Sequence, residues 1–125
     1  MVIAGAFGCG KGDGIPRVKV RGTVTHKGQP VEVGTIRFNP DETTVAPMTI
    51  VSIKEGRYEY AKHGGIPAGT HRVTIFSYDP NVPAPQGPQD PMRPQLLPKK
   101  YNYDSELEWT LQQQRGWLTK DWDLQ

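Results

Sequence analysis

Cysteine is almost missing from this chain: Cys9 is the one thiol in 125 residues. An internal disulfide is therefore impossible, and a cysteine-based zinc cluster, which needs two or more thiolates, is excluded. Histidine is scarce as well. His26, His63 and His71 are the only three, and none is paired at the His-x-x-x-His spacing that brings two ligands to one metal. No segment after Cys9 approaches the ~18 consecutive apolar residues that span a bilayer. Net charge is +2 and the basic residues form no run, so the dense basic face of a nucleic-acid binder is not expected. No Ser or Cys stands in a recognisable nucleophile setting. Gly10-x-Gly12-x-Gly14 follows no strand and does not read as a phosphate loop. Asp104, Glu106 and Glu108 lie close together as paired carboxylates could, but Glu106 and Glu108 on the outer face of a strand read as solubilising charges. His26 and His63 adjoin turn glycines and read as exposed loop histidines, whereas His71 opens a strand. These absences predict a non-catalytic chain with no metal site and no cofactor.

What is plentiful is Gly and Pro, 14 and 12 residues, against a hydrophobic content of 35 %. Gly and Pro punctuate turns and break helices, so the composition favours many short strands around a modest core. The length suits one domain. Val18, Val20 and Val24 alternate with polar residues, as do Gly34, Ile36 and Phe38, then Thr49, Val51 and Ile53, then Tyr58 and Tyr60. Each alternation predicts a strand with one buried face. His26 to Pro30 and Glu55-Gly56 supply the turns. A fifth strand over 72–78, with Val73, Ile75 and Ser77 opposite Phe76, is predicted to bury both faces.

Residues 79–98 carry seven of the prolines and cannot run inside a sheet, because Pro donates nothing to a ladder. An extended, polyproline-like excursion is expected there, serving as a spacer or a recognition segment. Leu96 and Leu97 are expected to pin its end, leaving Val82 and Met92 more exposed. Beyond it, Leu107, Trp109 and Leu111 alternate as a strand, although Ser105-x-x-Glu108 also has the form of a helix capping box. Trp122 and Leu124 make a seventh strand, expected to pair antiparallel with 107–111. Seven short strands predict an all-β fold, a seven-stranded antiparallel Greek-key β-sandwich of prealbumin-like or immunoglobulin-like type. Tyr101, Tyr103 and Trp117 are candidate ligand-binding aromatics, with Trp117 in a loop between Gly116 and Leu118. Trp109 and Trp122 are assigned to the core.

The chain opens with small apolar residues, then Ala6-Phe7-Gly8-Cys9, then a Gly-rich polar stretch. This resembles the end of a bacterial lipoprotein signal peptide, in which the Cys becomes the lipidated first residue. A full signal also needs a basic start and an apolar stretch of roughly 7–15 residues, so either translation starts upstream of Met1 or this is a tail carrying a free thiol. The expected organisation is a truncated signal and tether over 1–15 and a single β-sandwich domain over 16–125.

Val20-Arg21-Gly22-Thr23-Val24 through Gln29-Pro30-Val31, Glu55-Gly56-Arg57-Tyr58, and Ile66-Pro67-Ala68-Gly69-Thr70 through Ile75 together resemble the carboxypeptidase regulatory-like, or prealbumin-like, domains. Leu97-Pro98-Lys99-Lys100-Tyr101-Asn102 with Ser105-Glu106-Leu107 is similar to the ends of short secreted lipoproteins of planctomycete bacteria. His71 and the proline-rich insertion depart from the pattern. The resemblance implies an accessory role: an exported module held at the membrane of the bacterial cell envelope, in the periplasm or outer membrane, by lipid on Cys9, with a structural or binding function and a protein or glycan partner. A soluble carbohydrate- or peptide-binding module is the alternative. Thr25-His26-Lys27-Gly28-Gln29-Pro30 also distantly resembles the transthyretin-like hydroxyisourate hydrolases, which require a second His and an Arg beside the first.

Overall fold

The computed structural model describes residues 14–89 and 93–125; Cys9 and Met92 lie outside the described residues. The fold is all-β, with 48 % strand and 6 % helical residues. Its elements are β1 (Arg17–His26), β2 (Gln29–Pro30), β3 (Val33–Pro40), β4 (Thr49–Lys54), β5 (Arg57–Tyr60), β6 (Ile66–Pro67), β7 (Gly69–Ser77), β8 (Leu107–Leu111), β9 (Trp117–Thr119) and β10 (Trp122–Leu124), with single 3-10 turns at Lys62–Gly64 and Lys99–Tyr101. Hydrogen bonding runs in the order β10-β1-β5-β4-β3-β7-β8, while β2, β6 and β9 also pair with β1.

The two shortest hairpins follow from their turn residues. Lys27 and Gly28 have φ of 53° and 82°, and Glu55 and Gly56 have 51° and 77°. Positive φ at both central positions is the type I′ geometry, whose twist matches that of the flanking strands. β4 and β5 pair only where they leave their turn, Lys54 opposite Arg57. Beyond that pair they diverge, and the sheet curls around one core.

The registers explain which residues fill that core. Val20 and Gly22 of β1 lie opposite Tyr60 and Tyr58, Ile36 and Phe38 opposite Val51 and Thr49, and the same two opposite Ile75 and Val73. Paired residues point to the same face, so the period-2 apolar set of every strand converges. Val20, Val24, Ile36, Phe38, Val73 and Ile75 have no exposed surface. As anticipated, β7 buries both faces at its end. Ile75 points inward, while Phe76 on the outer face is capped by the edge of Tyr103 at 5.5 Å and by the Arg37 guanidinium at 4.4 Å.

Three expectations need correction. Trp122–Leu124 pairs in parallel with β1, Val24 opposite Trp122; β8 pairs with β7 instead. Trp117 belongs to a strand, β9, which also runs parallel to β1. Leu107 and Trp109 are half-buried rather than buried, because β8 ends the hydrogen-bonded order with no strand beyond it; Trp109 still packs against Phe38 and Trp122, at 6.0 and 6.2 Å. Residues 107–111 form the expected strand, and Ser105 serves it rather than a helix cap. Its hydroxyl donates to the Val73 carbonyl and accepts from the Leu107 N–H, which seats the start of β8 on β7.

Candidate functional site

The proline-rich segment is secured at its neck. Ser77 N–H and Leu97 N–H both donate to Gln95 Oε1, at 2.7 and 3.2 Å. Arg93 donates through Nε and Nη2 to the Val82 carbonyl, at 2.9 and 2.7 Å, and its guanidinium lies 5.0 Å from the Tyr78 ring centre. Both leucines pin the end of the segment, as expected, but differently: Leu97 is buried, whereas Leu96 is 52 % exposed and holds on through its N–H to the Ser77 carbonyl at 3.0 Å. Residues 83–89 are exposed throughout, in keeping with Pro83, Pro85 and Pro88, which cannot join a ladder.

A cleft of about 420 Å³ opens beside this neck. The β1–β2 hairpin forms one wall, with His26, Gln29 and Glu32, and the chain leaving β7 forms the other, with Tyr78, Asp79 and Asn81. Asp79 organises its own wall: its Oδ1 accepts from Asn81 N–H at 2.9 Å, and its carbonyl from Val82 N–H at 3.0 Å. His26 contributes a buried Nε2 with no protein partner, and its ring meets Tyr101 edge-on at 6.4 Å. The lining thus offers a carboxylate pair, side-chain amides, a phenol and an imidazole over an apolar floor of Val31 and Leu97. That is a set for hydrogen-bonding a polar, extended ligand.

A hydrolase of the hydroxyisourate kind would need more. His26 is the one histidine lining the cleft, and no arginine lines it. His63 is exposed in a 3-10 turn at φ 55°. His71 is fully buried on β7, with Nε2 2.8 Å from the Pro67 carbonyl and its ring edge-on to Phe38. Burial holds its pKa below the ordinary 6.5 against the opposing pull of that hydrogen bond and of Asp41. The three histidines therefore do not converge. Among the described residues, no group of three or more His, Cys, Asp or Glu is placed to hold a metal ion.

Nor do the three candidate aromatics converge. Tyr101 is buried, its hydroxyl donating to the Gln125 carbonyl at 3.0 Å and accepting from Gln125 N–H at 2.7 Å. Tyr103 is 66 % exposed on the far side of Phe76. Trp117 lies opposite Lys19, whereas Tyr101 sits by His26, roughly 23 Å away along an extended strand of that length. Trp117 is half-buried, with Lys19 Nζ 5.3 Å and the Arg21 guanidinium 5.0 Å from its ring centre. The cleft residues Glu32, Tyr78 and Asp79 escaped the sequence reading because each flanks a strand end and shares no motif with the others. The nearest signal was the proline-rich insertion itself. No family model, curated protein or solved structure matches the chain.

Proposed function

We propose that this chain is an exported, lipid-anchored module of the bacterial cell envelope that binds an extended peptide or glycan and does not turn it over. In this reading the curled sheet is a prealbumin-like Greek-key sandwich, akin to carboxypeptidase regulatory-like domains. Lipid on Cys9 tethers it to the membrane, and the cleft beside the proline-rich neck takes the ligand.

One observation carries the binding half: the cleft collects hydrogen-bonding side chains from two separate strand ends, beside the two ends of a proline-rich segment. An extended Pro-rich backbone loses little entropy on binding, which suits recognition. The Ala6-Phe7-Gly8-Cys9 sequence supports the anchoring half. A soluble carbohydrate- or peptide-binding module remains the second reading, favoured by the polar lining of the same cleft.

The deciding experiment expresses the gene with the sequence upstream of Met1 included and compares wild type with Cys9→Ser. Wild type is expected to enter the detergent phase and Cys9→Ser to stay in the aqueous phase. Equal partitioning removes the anchor and leaves the soluble reading. Amide shifts on titration with cell-wall glycan fragments or extended peptides, centred on Glu32, Tyr78 and Asp79, test the cleft.

A further inference from the structure

The outer face of β1 is electrically lopsided. Lys19 and Arg21 project from it over the ring of Trp117, at 5.3 and 5.0 Å from its centre. Arg57, exposed on β5, stands opposite Thr23 on the same face, and Lys62 is exposed just beyond β5. Two acids stand within this half, Glu59 opposite Arg21 and Asp121 at Thr23, the position that Arg57 faces, and the four cations outnumber them. Asp121 and, further along β1, Asp123 are engaged. Asp121 Oδ1 accepts from Thr23 N–H at 2.9 Å, and Asp123 Oδ1 from the Thr25 hydroxyl at 2.8 Å. The sequence hides this arrangement. Lys19 and Arg21 alternate with valine and glycine, while Arg57, Lys62 and Trp117 come from distant segments brought together only by the pairing of β5 and β9 with β1.

We infer that this half-face, with Lys19 and Arg21 over Trp117 at its centre and Arg57 and Lys62 at its border, docks on an anionic phospholipid surface. Two observations select a membrane as the occupant. The charge is complementary to anionic headgroups, and a tryptophan with cations over its ring is the amphipathic combination that settles at a headgroup boundary. The basic half also lies where β1 begins. Cys9 precedes Arg17 by eight positions, a contour of at most about 30 Å. A lipid on Cys9 is thus attached through the end of β1 that carries Lys19 and Arg21. The inference rests on the proposed anchoring for its orientation. One lipid chain alone holds a protein only marginally, and a basic patch is the usual second contribution.

The test removes the anchor so that the face is measured alone. Full-length Cys9→Ser protein is mixed with vesicles of phosphatidylglycerol and phosphatidylethanolamine, or of phosphatidylcholine, at low salt. Binding to the anionic vesicles and not to the neutral ones is expected, with loss in high salt. Adding Lys19→Gln and Arg21→Gln should weaken binding about thirtyfold. A charge-matched control, Lys27→Gln with Lys99→Gln at the opposite end, should leave it unchanged. Nitroxide-labelled lipid should quench tryptophan emission, and Trp117→Leu should abolish that quenching while the thermal melt stays near that of the parent. Equal affinity for both vesicle types, an unaffected Lys19/Arg21 variant, or an equally weakened control overturns the inference. So does tighter binding to a poly-glutamate peptide than to the vesicles, which would put a protein partner on this face. Loss of detergent partitioning by the wild-type protein would instead count against the anchor alone.

Discussion

The indole N–H of Trp122 donates to the Tyr58 hydroxyl at 3.3 Å, and that hydroxyl donates in turn to the Lys120 carbonyl at 2.7 Å. This relay fastens β9 and β10 to β5 from inside the core, where Tyr58 is 3 % exposed. Burial lifts the phenol's pKa well above its ordinary 10, so it stays protonated and keeps donating. Tyr58→Phe leaves a part-buried carbonyl and a buried N–H without this partner, which costs about 1–3 kcal/mol. A fall of several degrees in the melting temperature is expected. A melt unchanged from wild type would mean that the relay adds nothing.

Gly22 makes that crossing possible. A Cβ at residue 22 would run into the carbonyl of Lys120, whose N–H bonds to the Arg21 carbonyl at 3.0 Å. The chain passes from β9 to β10 directly over this residue. Gly22→Ala should displace both strands and cost several kcal/mol, in the range of overpacked core sites. Gly28→Ala is the contrast: φ is 82° but nothing lies within 4 Å of the added Cβ. It should cost only about 1 kcal/mol from backbone strain. Denaturant midpoints of the two variants separate these mechanisms.

His71 gives stability a pH slope. Its folded pKa lies below the unfolded value near 6.5 because burial disfavours the imidazolium. Above that value the ring is neutral in both states and its contribution is intact. As pH falls below it, the unfolded chain takes up a proton that the folded chain resists, and stability declines until the folded pKa is passed. His71→Gln should be less stable than wild type near neutral pH, since it loses the bond to Pro67, and the gap should narrow as pH drops towards about 5. Melting curves for both proteins across that range check this, and a gap that stays constant contradicts it.

The proline-rich strap should be separable from the fold. Replacing residues 83–92 with a short Gly-Ser linker keeps Val82, Arg93 and Gln95, and so keeps the neck bonds. Loop closure depends only weakly on length, so the melt should stay within a few degrees of the parent. Binding at the cleft should weaken if the strap contacts ligand. A collapse of the folded state would make the strap part of the core.

Period-2 patterning settled a large share of this protein before any coordinates. Alternation along 18–24, 34–38, 49–53 and 73–77 marks the strands and their inward faces, because burying one side of a strand requires apolar residues at every second position. Glu55-Gly56 and Lys27-Gly28 mark their hairpins, because glycine relieves the positive φ of a type I′ turn. Seven prolines mark the strap. Partners are a different matter. Nothing local to Trp122 or Trp117 distinguishes a neighbour on β8 from one on β1, and pairing between distant strands is decided by which arrangement closes the core. The cleft and the basic half-face are legible only once those pairings exist. Lys19, Arg57 and Trp117 are ordinary surface residues in their own segments, and they become one surface because β1 carries β5 on one side and β9 on the other.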